Sequence, residues 1–223
     1  MIITMQESKK NLTELIPEIN NKNCCAFIGA GLSKDARYPL WHELISELER
    51  KLGVTQGKYI VDANGDILLA AERIQFKLGI DDFYNFLFDI FNNGDHLEYT
   101  PNHITLLKIP FMSYITTNYD FCLERAAVAI GKEKEFPYHY VPHLPPSSLK
   151  DGEVFHIHGI IHPDNPEQYK ESIVFTKSDY EERYNVQSRL STFLRSIFPF
   201  HSVVFIGYGL SDRHLIEILE DIV

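Results

Sequence analysis

The sequence predicts an α/β domain built on a Rossmann-like, doubly wound and mostly parallel sheet. Apolar runs of strand length, Cys24 to Ile28, Phe111 to Ile115, Val154 to Ile157 and Ser202 to Ile206, alternate with stretches of helical periodicity. These runs end on groups able to hold a ligand: Gly29-Ala30-Gly31, Thr117-Asn118-Tyr119-Asp120, His158-Gly159 and Gly207-Tyr208-Gly209. Open α/β sheets bind ligands outside the carboxyl ends of their strands, where these groups fall.

Composition narrows the classes further. A chain of 223 residues with 44% hydrophobic and 23% charged residues can bury one sizeable core, or one core with a subdomain. Its formal net charge of −10 disfavours an extended phosphate-binding face, so direct nucleic-acid binding is not expected. The cysteines are Cys24, Cys25 and Cys122, with no C-x-x-C pair, which argues for a reducing compartment and against a four-cysteine zinc site. The N-terminus lacks the regions of a signal peptide and no apolar run reaches membrane-spanning length, so a cytoplasmic location without membrane contact is expected.

In chain order, Leu12, Leu15, Ile16 and Ile19 recur at helical spacing within Ser8 to Ile19, and Pro17 is expected to kink or end that helix. Cys24 to Ile28 is a continuous apolar run too short for a helix, hence a strand buried on both faces. After the glycine turn, Trp41, Leu44, Ile45, Leu48 and Leu52 share one helical face. Thr55 to Gly65 is expected to be a mobile loop. Asp66 to Asn92 turns helical, with Phe83, Phe86, Leu87, Ile90 and Phe91 on one core stripe after a cap at Asp81. We take about 55–100 as a helical insertion into a single 1–223 domain.

Pro101 opens a short helix through Lys108, the second central strand follows, and Phe121 to Ile130 is its helix. Prolines and histidines break every period between Gly131 and Gly152, leaving a surface connection with a short edge strand around Tyr138 to Val141. A third strand is Val154 to Ile157. Ser172 to Thr176 is expected to be a short extended piece before a long helix from Ser178 to Phe198. Ser202 to Ile206 is another buried strand, followed by a final helix.

Strand, glycine turn and helix in succession bring backbone N–H groups to a helix start, where an anionic phosphate is favourably held. Gly29-Ala30-Gly31 is not a full G-x-G-x-x-G, and no Walker pattern occurs. What specifies the chain is the combination and its order. Gly29-Ala30-Gly31 with Ser33, then Pro101-Asn102-His103, Ile115-Thr116-Thr117-Asn118-Tyr119-Asp120, His156-Ile157-His158-Gly159 and Gly207-Tyr208-Gly209-Leu210-Ser211-Asp212 resemble the motifs of the sirtuin (Sir2) catalytic domain. The resemblance spans about Cys24 to His214 and is nearest to the Sir2-like domains of bacterial anti-phage defence proteins.

That resemblance implies NAD+ as the bound molecule, consumed as substrate. It implies that Gly29, Ala30, Gly31 and Ser33 cradle its phosphates, with Gly207 and Ser211 under the phosphate and adenosine-ribose portion. Thr117 and Asp120 fall at the nicotinamide end, Asp120 on the carboxamide. Asn118 falls on the ribose or the attacking water, and His158 is the base. Departures from the deacetylases also carry meaning. Residues 160–172 hold no cysteine where the zinc ribbon would lie, Leu40-Trp41 replaces a Phe-Arg pair, and Thr117 stands where glutamine is usual. Each weakens deacylation more than NAD+ binding.

The expected activity is therefore NAD+ hydrolysis to nicotinamide and ADP-ribose, with no zinc, as an effector of anti-phage defence by NAD+ depletion. The alternatives are an NAD-dependent protein deacylase and a non-catalytic sensor of NAD or an ADP-ribose derivative. Simpler roles compete at single residues. His156 rivals His158, Asn118 and Asp120 suit the cap of the following helix, and His139, His143, His201 and His214 read as surface or loop residues. Only a short helix follows the last strand, so the chain is expected to act within a larger protein, a homo-oligomer or an assembly with a sensor domain that controls it.

Overall fold

The computed structural model describes residues 5–145, 149–163, 168–210 and 212–221. Its centre is a five-stranded, all-parallel sheet of β1 (Cys24–Ile28), β2 (Tyr114–Thr116), β3 (Tyr138–Tyr140), β4 (Val154–His156) and β5 (Ser202–Ile206), in the order β3-β4-β2-β1-β5. The helices are α1 (Met5–Asn20), α2 (Trp41–Lys51), α3 (Lys58–Asp62), α4 (Ile67–Leu78), α5 (Ile80–Asn92), α6 (Pro101–Leu107), α7 (Cys122–Ala129), α8 (Lys177–Arg183), α9 (Arg189–Ile197) and α10 (Arg213–Glu220).

Period-two alternation along β1 explains the double winding. Cys24, Ala26 and Ile28 pack with Leu106 and Leu107 of α6 and Leu123, Ala126 and Ala127 of α7 on one face. Cys25 and Phe27 pack with Leu190, Phe193 and Leu194 of α9 and Leu215 and Ile218 of α10 on the other. Phe27, Phe155 and Phe193 are almost wholly buried there, and such side chains contribute roughly 1.5–3 kcal/mol each. A third cluster joins α2, α4 and α5 to Tyr119 and Phe175, with the expected stripe Phe83, Leu87 and Phe91 buried in it. The helices of the 55–100 stretch therefore share a core with α2 and with Tyr119, Ile161, Ile173 and Phe175 from the rest of the chain.

Several expectations need correction, each for a local reason. The 55–65 stretch contains α3, because the buried carboxylate of Glu49 accepts from the N–H groups of Gly57 (2.5 Å) and Tyr59 (2.7 Å). The 66–92 stretch is two helices broken at Gly79, whose φ of 86° ends α4. Asp66 caps α4, accepting from Leu69 N–H at 2.9 Å, while Asp81 merely sits in the first turn of α5. Pro17 lies inside α1, which runs on to Asn20.

Residues 172–176 form no strand. Val174 N–H goes to the His158 carbonyl, and those of Phe175 and Thr176 go to the Asp179 carboxylate. The expected helix over 178–198 is split into α8 and α9. Asn185 accepts from Gln187 N–H and Ser188 caps α9 by accepting from Ser191 N–H, both at 3.0 Å, which draws the backbone out of the helix between them. β5 is half-buried along its length because it is an edge strand with β1 as its neighbour.

Candidate active site

The order of strands puts β2 on one side of β1 and β5 on the other, which is the topological switch point of the sheet. The loops after β1 and β5 touch there. Gly29 N–H donates to the Ile206 carbonyl at 3.0 Å and Gly31 N–H to the Gly207 carbonyl at 2.9 Å. A Cβ on Gly29 or Gly31 would lie 2.7 Å from the Gly207 carbonyl oxygen, so the glycines permit a backbone approach no other residue allows. Above this junction opens a cavity of about 1010 Å³.

Asn118 is held at four points. Its N–H donates to Thr116 Oγ1 at 3.0 Å, and its Nδ2 to the Gly29 carbonyl at 3.3 Å and Ser33 Oγ at 3.2 Å. Its own carbonyl accepts from His156 Nδ1 at 3.0 Å. The orientation of the amide follows from a chain of hydrogen bonds behind it. Thr100 N–H donates to His103 Nδ1 at 3.1 Å, so the hydrogen of this neutral ring sits on Nε2 and is donated to Ser33 Oγ at 3.3 Å. Burial lowers the pKa of His103, against the pull of Asp120 and Glu124, which keeps it neutral. With Nδ2 spent on acceptors, Asn118 Oδ1 is left buried and without a partner. A buried lone acceptor lining a cavity is ready for a donor from a ligand.

Asp120 Oδ1 accepts from Cys122 N–H at 3.1 Å, starting α7 as an Asx turn, and Asp120 lines the cavity as well. Its carboxylate, His103 and Cys122 come within 4.8 Å of one another. The trio suits mutual hydrogen bonding better than a metal. Burial, reinforced by Asp120, pushes the Cys122 thiol far up, so it stays protonated, and both His103 nitrogens are already occupied.

The two histidines of the third strand end in different places. His156 is wholly buried, donating from Nδ1 to the Asn118 carbonyl and from Nε2 to Glu124 Oε1 at 2.8 Å. Burial would depress its pKa, but the Glu124 carboxylate and both acceptors outweigh that and raise it, and acceptors at both ring nitrogens favour the imidazolium form. His158 lines the cavity. Its Nε2 is 2.7 Å from Tyr184 Oη and its Nδ1 3.3 Å from Tyr180 Oη, two rings stacked at 5.4 Å, Tyr180 on α8 and Tyr184 at its C-terminal cap. Burial drives its pKa down to about 4, although Asp212 acts in the opposite direction. It is therefore a neutral imidazole near pH 7, the form a general base requires.

Of the residues expected from sequence, Ala30, Gly31, Ser33, Thr117, Asn118, Asp120, His158 and Gly207 line this one cavity. Gly29 lies beneath it, packed on Gly207 and Tyr208, and Ser211 is outside the described residues. Sequence reasoning overlooked Lys177, Tyr180 and Arg213, gave Asp212 a place in the last motif but no role, and read His214 as a surface or loop residue, whereas all five line the cavity. Asp212 carried a signal, since an aspartate just before a helical run is an N-cap. His139 is likewise not a loop residue but part of β3, bonded to Glu153 at 3.1 Å.

An amide, a carboxylate and a neutral imidazole thus line one cavity at the switch point of a parallel, Rossmann-like sheet, where open α/β folds bind their ligands. A family profile described as "SIR2-like domain" matches residues 112–223, half of the chain, and the chain belongs to that family. Similar proteins include "NAD(+) hydrolase ThsA" of Enterococcus faecium, 28% identical over 226 residues covering 96% of this chain and 43% of that protein. The protein of the same name from Acinetobacter baumannii (strain 532279) is 30% identical over 230 residues, covering 97% and 42% respectively. "Defense-associated sirtuin 2" of Bacillus subtilis is 26% identical over 212 residues, covering 92% of this chain and 20% of that protein. The chain thus spans about two fifths of the length of the ThsA relatives.

Proposed function

We propose that this chain is an NAD+ glycohydrolase domain, cleaving NAD+ with water to nicotinamide and ADP-ribose, and that it serves anti-phage defence by depleting NAD+. The observation that carries the reading is the pairing of an unpartnered carboxamide oxygen on Asn118 with the neutral imidazole of His158 on one cavity. Relatives named NAD(+) hydrolase and defense-associated sirtuin, matched over nearly the whole chain, support it.

In this reading nicotinamide leaves with the electron pair of the C–N bond, and the ribosyl carbon becomes oxocarbenium-like. Asn118 Oδ1 accepts a hydrogen bond from a ribose hydroxyl or the attacking water. His158 takes the proton that water gives up as its oxygen bonds to carbon. Asp120, with Thr117 beside it, holds the departing carboxamide. Ala30, Gly31, Ser33, Gly207 and Ser211 carry the diphosphate and adenosine ribose, and Gly29 acts indirectly by letting the loops after β1 and β5 close. Zinc has no part in these steps.

The ThsA relatives are more than twice the length of the matched region, which supports control of turnover by further chain, a second copy or a partner. No described helix is long and apolar enough to cross a membrane, and a cytoplasmic setting, where NAD+ is available, completes the proposal. The test mixes the chain with NAD+ and follows nicotinamide by chromatography while Trp41, the sole tryptophan and a lining residue, reports binding by fluorescence. Release of nicotinamide and ADP-ribose in equal amounts supports hydrolysis. Release only with an acyl-lysine peptide would make it a deacylase, and binding without release a sensor.

A further inference from the structure

Asp212 has one carboxylate oxygen engaged and one idle. Oδ1 caps α10, accepting from His214 N–H at 3.0 Å and Leu215 N–H at 3.2 Å. Oδ2 is buried, makes no hydrogen bond within 3.5 Å and lies 3.8 Å from His158 Nε2, with the Tyr184 and Tyr208 hydroxyls also interacting with this carboxylate. A buried carboxylate oxygen left unpaired beside an imidazole costs stability unless the charge has work to do there. We propose that Asp212 is a positioning residue for His158, holding its ring with the hydrogen on Nε2 and stabilising the imidazolium formed when Nδ1 takes a proton. The proposal rests on the NAD+-cleaving reading above.

The two ring nitrogens are not equivalent. Nε2 meets Tyr184 at 2.7 Å and faces Asp212, so the negative charge favours a hydrogen there. Nδ1 has the looser 3.3 Å contact with Tyr180, a cavity-lining residue whose hydroxyl a water or ribose hydroxyl can displace. The division of labour is that of an Asp–His pair in hydrolytic enzymes, where the carboxylate fixes the tautomer and stays ionised. The proton moves from the attacking water to Nδ1, and the freed O–H electron pair forms the bond to the ribosyl carbon. The other titratable groups around the pair are Tyr180 of α8 and Tyr184 just after it, whose rings meet His158, His214 of α10, which acts on His158 by its charge, and Tyr208 after β5, which faces Asp212. Burial, with Asp212 adding, drives the tyrosine pKa values far up, so these hydroxyls stay neutral. His214 opposes the charging of His158, which leaves Asp212 as the group that favours it.

Asp212→Asn tests this with little risk to the fold, because asparagine caps helices as well as aspartate does. Two readouts are made on wild type and variant: steady-state nicotinamide release from pH 4 to 9, and NMR titration of the His158 ring nitrogens, assigned with His158→Gln. We expect kcat to fall by about 10- to 100-fold with KM changed less than about threefold, a size ordinary for lost electrostatic support of a charged transition state. His158 should carry its hydrogen on Nε2 and titrate at lower pH in the variant. An unchanged His158 midpoint, a hydrogen on Nδ1 in wild type, or a loss confined to KM would overturn the proposal. If wild type releases no nicotinamide, the NAD+ reading fails, while the NMR comparison still decides the pairing.

Discussion

His156 and His158 stand two residues apart, yet the pockets around them differ in nearly every physical respect. An ideal strand would put both side chains on one face. The strand ends at His156, however, and the chain turns through Ile157 and His158 to Gly159, whose φ of 85° and whose approach to the Ser172 carbonyl admit only glycine. His156 thus stays between β2 and α7, charged and paired with Glu124, its only outlet being the Asn118 carbonyl. His158 emerges at the cavity, neutral and ringed by tyrosines. A buried imidazole held as a cation by a carboxylate is a structural clamp, whereas one held neutral at a cavity is available to take a proton.

That contrast can be broken in several ways. After loss of His158 itself, the largest effect is expected at Asn118, which both pockets serve: Asn118→Ala should lower nicotinamide release by about 10²-fold or more, since misplacing reacting groups by about 1 Å costs that much. Circular dichroism should show the fold retained. His156→Ala should cost about 3–5 kcal/mol in chemical denaturation, because it leaves the Glu124 carboxylate buried without its partner. Per folded molecule, its rate should fall less than that of Asn118→Ala.

The pH dependence of stability should show both pockets, with opposite signs. For His158, whose folded pKa of about 4 is below the ordinary 6.5, the unfolded chain gains a proton first as pH falls. Stability of on the order of 3 kcal/mol should therefore drain away between about pH 6.5 and 4, and His158→Gln should flatten that limb. For His156, whose folded pKa is raised, the contribution is complete below 6.5 and is lost as pH rises through the folded value. Glu124→Gln should remove that alkaline limb in urea titrations. The smallest effect belongs to Gly31→Ala, where the new Cβ meets the Gly207 carbonyl at 2.7 Å. It should destabilise by about 1–3 kcal/mol, read as a lowered melting temperature, with weakened NAD+ quenching of Trp41.

Much of this architecture is legible in the chain because apolar runs and glycines are local signals. The runs Cys24–Ile28 and Ser202–Ile206 match β1 and β5 to the residue. What escapes a linear reading depends on side chains from elsewhere. Helix α3 is organised by Glu49, eight and ten residues before the N–H groups it accepts from. The split between α8 and α9 rests on Asn185 and Ser188, which fall within the single helix expected over 178–198. At the site, the glycines, Asn118 and His158 are marked by strand ends. Tyr180 comes from α8, Tyr184 from its C-terminal cap and Asp212 from the N-cap of α10, and no spacing tells that they meet one imidazole. The resemblance already pointed to His158, but the environment that separates it from His156 is supplied by those residues and by Glu124, so the physical reason for the choice comes from the fold.

The central claim is that chemistry belongs to the imidazole at the cavity and structure to the imidazole in the sheet. The direct measurement is the rate of nicotinamide release per folded molecule for His158→Ala and His156→Ala, with the folded fraction fixed by denaturation under the same conditions. We predict a loss of about 10²- to 10⁴-fold for His158→Ala, the range of a missing general base, and a much smaller one for His156→Ala. Full activity in His158→Ala, or inactivation of fully folded His156→Ala alone, would contradict the assignment.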